Sequence, residues 1–190
     1  MKARIFLLFF ALLSTSCMQH TVVTSGQQTV KSFIINPTNQ WNLIPKQFSF
    51  AGLPAWTVDG GSLNSLIFIS EISHGDTLLP STNDKKLDTY DKDMLPNEII
   101  EFIESTLLIY TDAKITNRGT LRPIKIGVDQ GFEFEFEFVK NDEVPRKAYI
   151  AAASKNEMLH LILFQATKIH YYGHLIDDVK NIISSAVIKT

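Results

Sequence analysis

The residues best suited to do chemistry gather at one point in this chain. His170-Tyr171-Tyr172-Gly173-His174, together with His160, is its densest titratable and aromatic group. His160, His170, Tyr171, Tyr172 and His174 are therefore the candidate ligand-binding set. His170 and His174 have the four-residue spacing that puts two imidazoles on one helix face, where each can offer a nitrogen to a metal ion. Gly173 and a helix beginning near Tyr172 work against that geometry, and the Glu of a His-Glu-x-x-His pattern is missing. The sequence predicts instead a structural turn whose tyrosines pack under a sheet, with no metal and no cofactor.

Other catalytic patterns are missing. There is no Gly-x-Ser-x-Gly, no phosphate-cradling glycine loop, no Gly-x-Gly-x-x-Gly and no Cys-x-x-Cys, and no catalytic residue is assigned. Two groups of carboxylates remain. Glu98, Glu101 and Glu104 fall in the first half of a helix that begins near Pro96, where they favour the positive end of its dipole and read as a solvated face. Glu133, Glu135 and Glu137 alternate with four phenylalanines in a strand. At about 7 Å between successive residues on one face, they are too far apart to chelate an ion without ligands from other strands. They read as a solvated ladder partnered by bases such as Lys125 or Lys147.

Cys17 is the only cysteine, and its context gives it a different chemistry. Lys2 and Arg4 precede nine continuously apolar residues, Ile5 to Leu13, and Ser14-Thr15-Ser16 leads into the thiol. Nine helical residues span roughly 14 Å, about half a bilayer core. That is an export leader rather than a permanent span. The string Leu13-Ser14-Thr15-Ser16-Cys17 resembles the lipobox of bacterial lipoproteins, with Ser14 where the family usually has Leu. The resemblance implies cleavage before Cys17, a thioether-linked diacylglycerol on its sulfur and an amide-linked acyl chain. It also implies attachment to the membrane through that lipid, facing the periplasm, and Met18 rather than Asp at the second mature position implies transfer to the outer membrane. A single cysteine leaves no partner for a disulfide in an oxidising compartment.

Removing Met1 to Ser16 takes away Lys2 and Arg4 and no acid, which leaves 16 basic against 20 acidic residues and a formal charge of −4. That balance argues against a nucleic-acid partner. The chain divides into a signal peptide at 1 to 16, a lipidated cysteine and flexible tether at 17 to 32, and one domain at 33 to 190.

Within that domain, Trp41 to Ile44 and Phe48 to Phe50 read as short strands. Asp59-Gly60 marks a tight primed hairpin turn. Leu66 to Ile72 is an interior strand, and Ser81 to Asp93 a long surface loop. Pro96 opens a helix whose Ile99, Ile100, Ile103, Leu107 and Tyr110 share a face. A meander follows through 114 to 116, 121 to 128 and 132 to 138, then a hairpin of 146 to 153 with 158 to 167. A helix from about Tyr172 closes the chain, burying Leu175, Ile176, Val179, Ile182, Ile183 and Ala186. Interior strands apolar on both faces require cover on both sides. The class is α+β, an αβα sandwich of mainly antiparallel sheet with helices on both faces.

This order resembles the PsbP-like fold, which includes DcrB-like envelope lipoproteins. The resemblance is carried by the Trp56 to Leu63 turn, Met94-Leu95-Pro96-Asn97-Glu98-Ile99, Gly131-Phe132 and Phe164-Gln165-Ala166 before Tyr171-Tyr172. It implies binding and assembly rather than catalysis. The expected function is a lipid-anchored binding or assembly module of the bacterial envelope with a protein or lipid partner. Two alternatives stay open: a periplasmic hydrolase using the His170/His174 region, and a carrier of an apolar ligand, which requires an unfilled apolar cavity between sheet and helix.

Overall fold

A computed structural model describes residues 21 to 81 and 86 to 189. The leader at 1 to 16, Cys17, and Met18 to His20 lie outside the described residues. One large antiparallel sheet organises the rest. It is built from β1 (Val22–Val23), β4 (Trp41–Leu43), β5 (Ala55–Thr57), β6 (Asn64–Ile72), β11 (Met158–Thr167), β10 (Arg146–Lys155), β9 (Asp129–Val139) and β7 (Lys114–Arg118), in that spatial order. Strand β8 (Arg122–Ile126) pairs with β9 at the end that β7 leaves open.

Period-two side-chain alternation splits the central strands between two cores. On one face, Ile67 and Ile69 of β6, Leu159, Leu161 and Leu163 of β11, Ala148 and Ile150 of β10, and the four β9 phenylalanines pack beneath α1 (Pro96–Thr111). On the other, Leu66 and Phe68, Ile162 and Phe164, and Tyr149 and Ala151 pack beneath α2 (Gly173–Ser184). A three-stranded sheet of β2 (Gln28–Val30), β3 (Phe33–Ile35) and β12 (Val187–Ile188) shares this second side. Helices therefore cover both faces, as the two-sided apolar strands require. Among the described residues no helix is long and apolar enough to cross a membrane.

Helix α1 starts where Pro96 predicts, and Glu98 closes its first turn by accepting the Leu95 N–H at 2.6 Å. Its buried face holds Ile99, Phe102, Ile103, Thr106 and Leu107, with Ile100 and Tyr110 at the margin. Strand β9 shows the expected alternation, with Phe132, Phe134, Phe136 and Phe138 all buried.

Several local expectations differ. The tether predicted over 17 to 32 is partly ladder, because Val22–Val23 pairs with β4 and Gln28–Val30 with β3. The folded body thus begins ahead of residue 33. Its apolar anchors, Val23 and Val30, are too few to show a period in sequence. Phe48 to Phe50 forms short 3-10 turns, with Ala51 at a φ of 52°, and not a strand.

Asp59-Gly60 lies in a six-residue loop between β5 and β6. There Asn64 Oδ1 accepts the Val58 N–H at 2.8 Å and the Thr57 hydroxyl at 3.0 Å. The tight turn with two positive φ angles occurs at Asn156 (52°) and Glu157 (63°), between β10 and β11. The Ser81 to Asp93 stretch is not wholly superficial. Leu87 and Tyr90 are buried against α1 and β11, while residues 82 to 85 lie outside the described part. Ala186 is buried beyond the end of α2, where the chain turns into β12.

Candidate functional site

The five predicted site residues do not converge. His160 is 1% exposed in β11, with its ring edge-on to Phe33 at 6.2 Å. Its Nδ1 has no hydrogen-bond partner. Burial pushes its pKa below the ordinary imidazole value, so the neutral form is the one the core holds. His160 sits near the start of β11 and His170 lies beyond its other end, a separation of roughly 23 Å at 3.3 Å per strand residue. The sequence proximity of the two is undone by the extended strand.

His170 belongs to a π-helical turn, Lys168–Tyr172, that leads directly into α2. His170 and His174 are both exposed. Their rings lie nearly parallel, 10° apart in orientation with centroids 6.1 Å apart. Tyr171 sets its ring edge against His170 at 4.9 Å. Tyr172 points the other way and is buried against Phe164, as the expected tyrosine packing requires.

Tyr172 joins the glutamate ladder of β9, and the ladder is covered rather than open to solvent. The Tyr172 hydroxyl donates to Glu135 Oε1, and Tyr149 of β10 donates to Glu133 Oε2. Lys147 meets Glu135 at 2.9 Å, and Lys168 of the π-turn meets Glu137 at 2.7 Å. Two cations lie over the rings: Lys147 is 4.6 Å from the Tyr172 centroid and Lys180 5.3 Å from that of Tyr149.

Burial, and then the carboxylate each faces, hold both tyrosine hydroxyls protonated far above the ordinary phenol value. Burial alone would raise Glu135, but bonds from Lys147 and Tyr172 outweigh it and keep the carboxyl below its usual value. Each ladder carboxylate is engaged, so the array fixes the π-turn to the sheet and offers no idle general base. Lys147 was expected as a ladder partner; Tyr149, Tyr172 and Lys168 were not.

Two further acids are buried. Glu104, expected on a solvated helix face, is 7% exposed and accepts from Arg118 Nε at 3.0 Å. Asp178, also 7% exposed, accepts from Trp41 Nε1 at 3.0 Å and from Thr38 Oγ1 at 2.8 Å, tying α2 to β4. Its place on the same stripe as Leu175, Val179 and Ile182 is the sequence signal that marks it as inward-facing.

The apolar space is distributed unevenly around α1. Near the helix C-terminus a void of about 20 Å³ lies between Leu107, Leu108, Phe136, Phe138 and Leu163. That is room for about one water, so this void between sheet and α1 is smaller than an apolar-ligand carrier requires. At the other end of α1 an open groove of about 520 Å³ runs between the helix start and the β8–β9 hairpin. Met94, Pro96, Ile99, Leu121, Pro123 and Phe132 line it, together with the polar Lys92, Gln130 and Ser154. A smaller recess beside Ile100, Arg118 and Phe134 shares Leu121 with it. No sequence pattern announces this groove, because its walls come from segments distant in the chain. Among the described residues no group of three or more His, Cys, Asp or Glu is placed to hold a metal ion.

No protein-family model and no curated protein matches the chain. Among solved structures, it is similar to the cyanobacterial PsbP, CyanoP, of Synechocystis sp. PCC 6803. The TM-score is 0.53 at 12% identity, over 92% of this chain and 96% of that one. LpqN of Mycobacterium tuberculosis, described as involved in cell envelope biogenesis, aligns with a TM-score of 0.45 at 10% identity, over 92% of this chain and 88% of that one. The antiparallel sheet covered by a helix on each face, together with the similarity to CyanoP, identifies the fold as PsbP-like.

Proposed function

We propose that this chain is a lipid-anchored, non-catalytic binding or assembly module of the bacterial cell envelope. The observation that carries the reading is the leader: a basic start, nine apolar residues and Ser14-Thr15-Ser16 immediately before the sole cysteine. Acyl chains on Cys17 hold the body at a periplasm-facing membrane surface, and Met18 directs it to the outer membrane. Each buried methylene contributes about 0.8 kcal/mol, so several chains make attachment effectively permanent.

What favours binding over hydrolysis is the state of the polar groups. The ladder glutamates are engaged by lysines and tyrosines, and His170 and His174 stand on an exposed helix face. The contact surface for an envelope protein or lipid is the groove of Met94, Pro96, Leu121, Pro123 and Phe132, a mainly apolar trough lined also by Lys92.

Mass spectrometry of protein purified from its native host should find residues 1 to 16 removed and Cys17 acylated. Cys17→Ala should move the protein from the membrane to the soluble periplasmic fraction. A bare thiol, a retained leader, or unchanged membrane attachment of the variant overturns the reading. For the contact surface, a photo-crosslinker at Leu121 in intact cells should capture one reproducible partner, and the same probe at exposed Val128 should not.

A further inference from the structure

We propose that His170 and His174 form a two-imidazole clip for a borderline divalent cation of the Zn²⁺, Ni²⁺ or Cu²⁺ class. This goes beyond the anchored-module reading and does not depend on it. It also reverses the expectation from sequence, which rested on Gly173 and a helix start interrupting the pair. The π-turn Lys168–Tyr172 runs straight into α2, and Gly173 itself has right-handed helical angles, φ −64° and ψ −29°. Both histidines therefore ride on one continuous helical segment.

The π-turn is closed by i→i+5 hydrogen bonds, and residues four apart along the segment share one side of it. The two rings lie 10° apart in orientation with centroids 6.1 Å apart, close enough that side-chain rotation can bring their in-plane lone pairs together. Such turns inside helices are rare and concentrate at functional sites.

Space and chemistry agree with the geometry. Apart from its chain neighbours and the helix's own backbone, nothing lies within 4 Å of where a Gly173 side chain would begin, so no other element covers the helix there. Tyr171 buttresses His170 edge-on at 4.9 Å, limiting the arc its ring can sweep. Neither imidazole takes part in a hydrogen bond among the described residues, and both are exposed, so no bond has to be broken for their nitrogens to turn toward a common ion at about 2.0–2.1 Å. Imidazole nitrogen selects Zn²⁺, Cu²⁺ and Ni²⁺ over Mg²⁺ and Ca²⁺, which prefer oxygen. With no third ligand grouped there among the described residues, the ion keeps positions open to water or to a donor from another molecule. The clip is therefore an exchangeable surface site rather than a closed structural one.

The test uses the full chain carrying Cys17→Ser, so that no free thiol competes, titrated calorimetrically with Zn²⁺ and separately with Cu²⁺. One ion per chain is expected. His170→Ala and His174→Ala should each weaken binding about tenfold or more by removing one of two coordinate bonds. His74→Ala, on a separate loop, should leave it unchanged. Paramagnetic resonance of the Cu²⁺ form should show hyperfine coupling to two nitrogens, reduced to one in either variant. The metal-free melting temperature should not move, because both side chains are exposed. Failure of the unsubstituted pair to bind Zn²⁺ at millimolar concentration overturns the proposal, as does binding that survives in His170→Ala/His174→Ala.

Discussion

The phenylalanine face of β9 packs beneath α1 and its glutamate face packs beneath the π-turn and α2, yet the two are covered by different means. Phe132, Phe134, Phe136 and Phe138 are sealed by aliphatic side chains that need only fill volume. Glu133, Glu135 and Glu137 are covered by groups that must each supply a donor: Tyr149, Tyr172, Lys147 and Lys168. The first kind of cover is tolerant of which apolar residue provides it. The second is specific, because a half-buried carboxylate left without its donor loses both the bond and part of its solvation. Strict alternation in a strand thus fixes its register but says nothing of what will lie over its polar side.

The comparison can be broken most sharply at Phe134. Phe134→Ala should lower unfolding free energy by about 3–5 kcal/mol through lost packing and a residual cavity. Chemical denaturation measures this directly, and a midpoint that barely moved would mean that the α1 face is not the principal core. On the α2 side, Asp178→Ala should cost about 1–3 kcal/mol by leaving the buried Trp41 indole N–H without an acceptor. Near-ultraviolet dichroism of the indole should change with it, and an unperturbed Trp41 signal would show that the bond does not anchor α2.

The smallest effect is a pH dependence. Glu135 has a folded pKa below its unfolded value, so its pairing contributes stability above the ordinary glutamate value of 4.5 that is lost as pH falls through the folded pKa. His160, depressed from 6.5 by burial, acts in the same direction at higher pH: stability present above 6.5 is lost as acid protonates it in the core. Melting temperature should therefore fall in two stages on acidification. Glu135→Gln should flatten only the lower stage, and His160→Gln only the upper.

What could be read from sequence follows from how far each signal extends. Pro96 with the Ile99, Ile103, Leu107 repeat, and the Phe-Glu alternation of 132 to 138, are long enough to declare their periods, and both elements are where they were expected. The strands Val22–Val23, Gln28–Val30 and Val187–Ile188 hold two or three residues each, too few to show any period, and the last of them is held by a partner remote in the chain.

Turn chemistry misled where side chains overrode it. Asp59-Gly60 has the composition of a primed turn, but Thr57 and Asn64 latch a longer loop, while Asn156 and Glu157 adopt positive φ with no glycine. At the candidate site, the spacing of His170 and His174 was legible. The π-turn that carries His170 into α2 was not, since a single widened turn leaves no compositional mark. The groove beside α1 was invisible because its walls are contributed by segments that meet only in the fold.

The pairing of β12 with β3 has a temporal consequence. Phe33 and Ile34 meet Val187 and Ile188, and the Lys189 N–H donates to the Ser32 carbonyl at 2.8 Å. The β2–β3 hairpin can form from neighbouring residues, but its outer edge stays open until a segment far downstream has been made. Fastening that edge is a contact between distant segments, the kind of closure that slows folding.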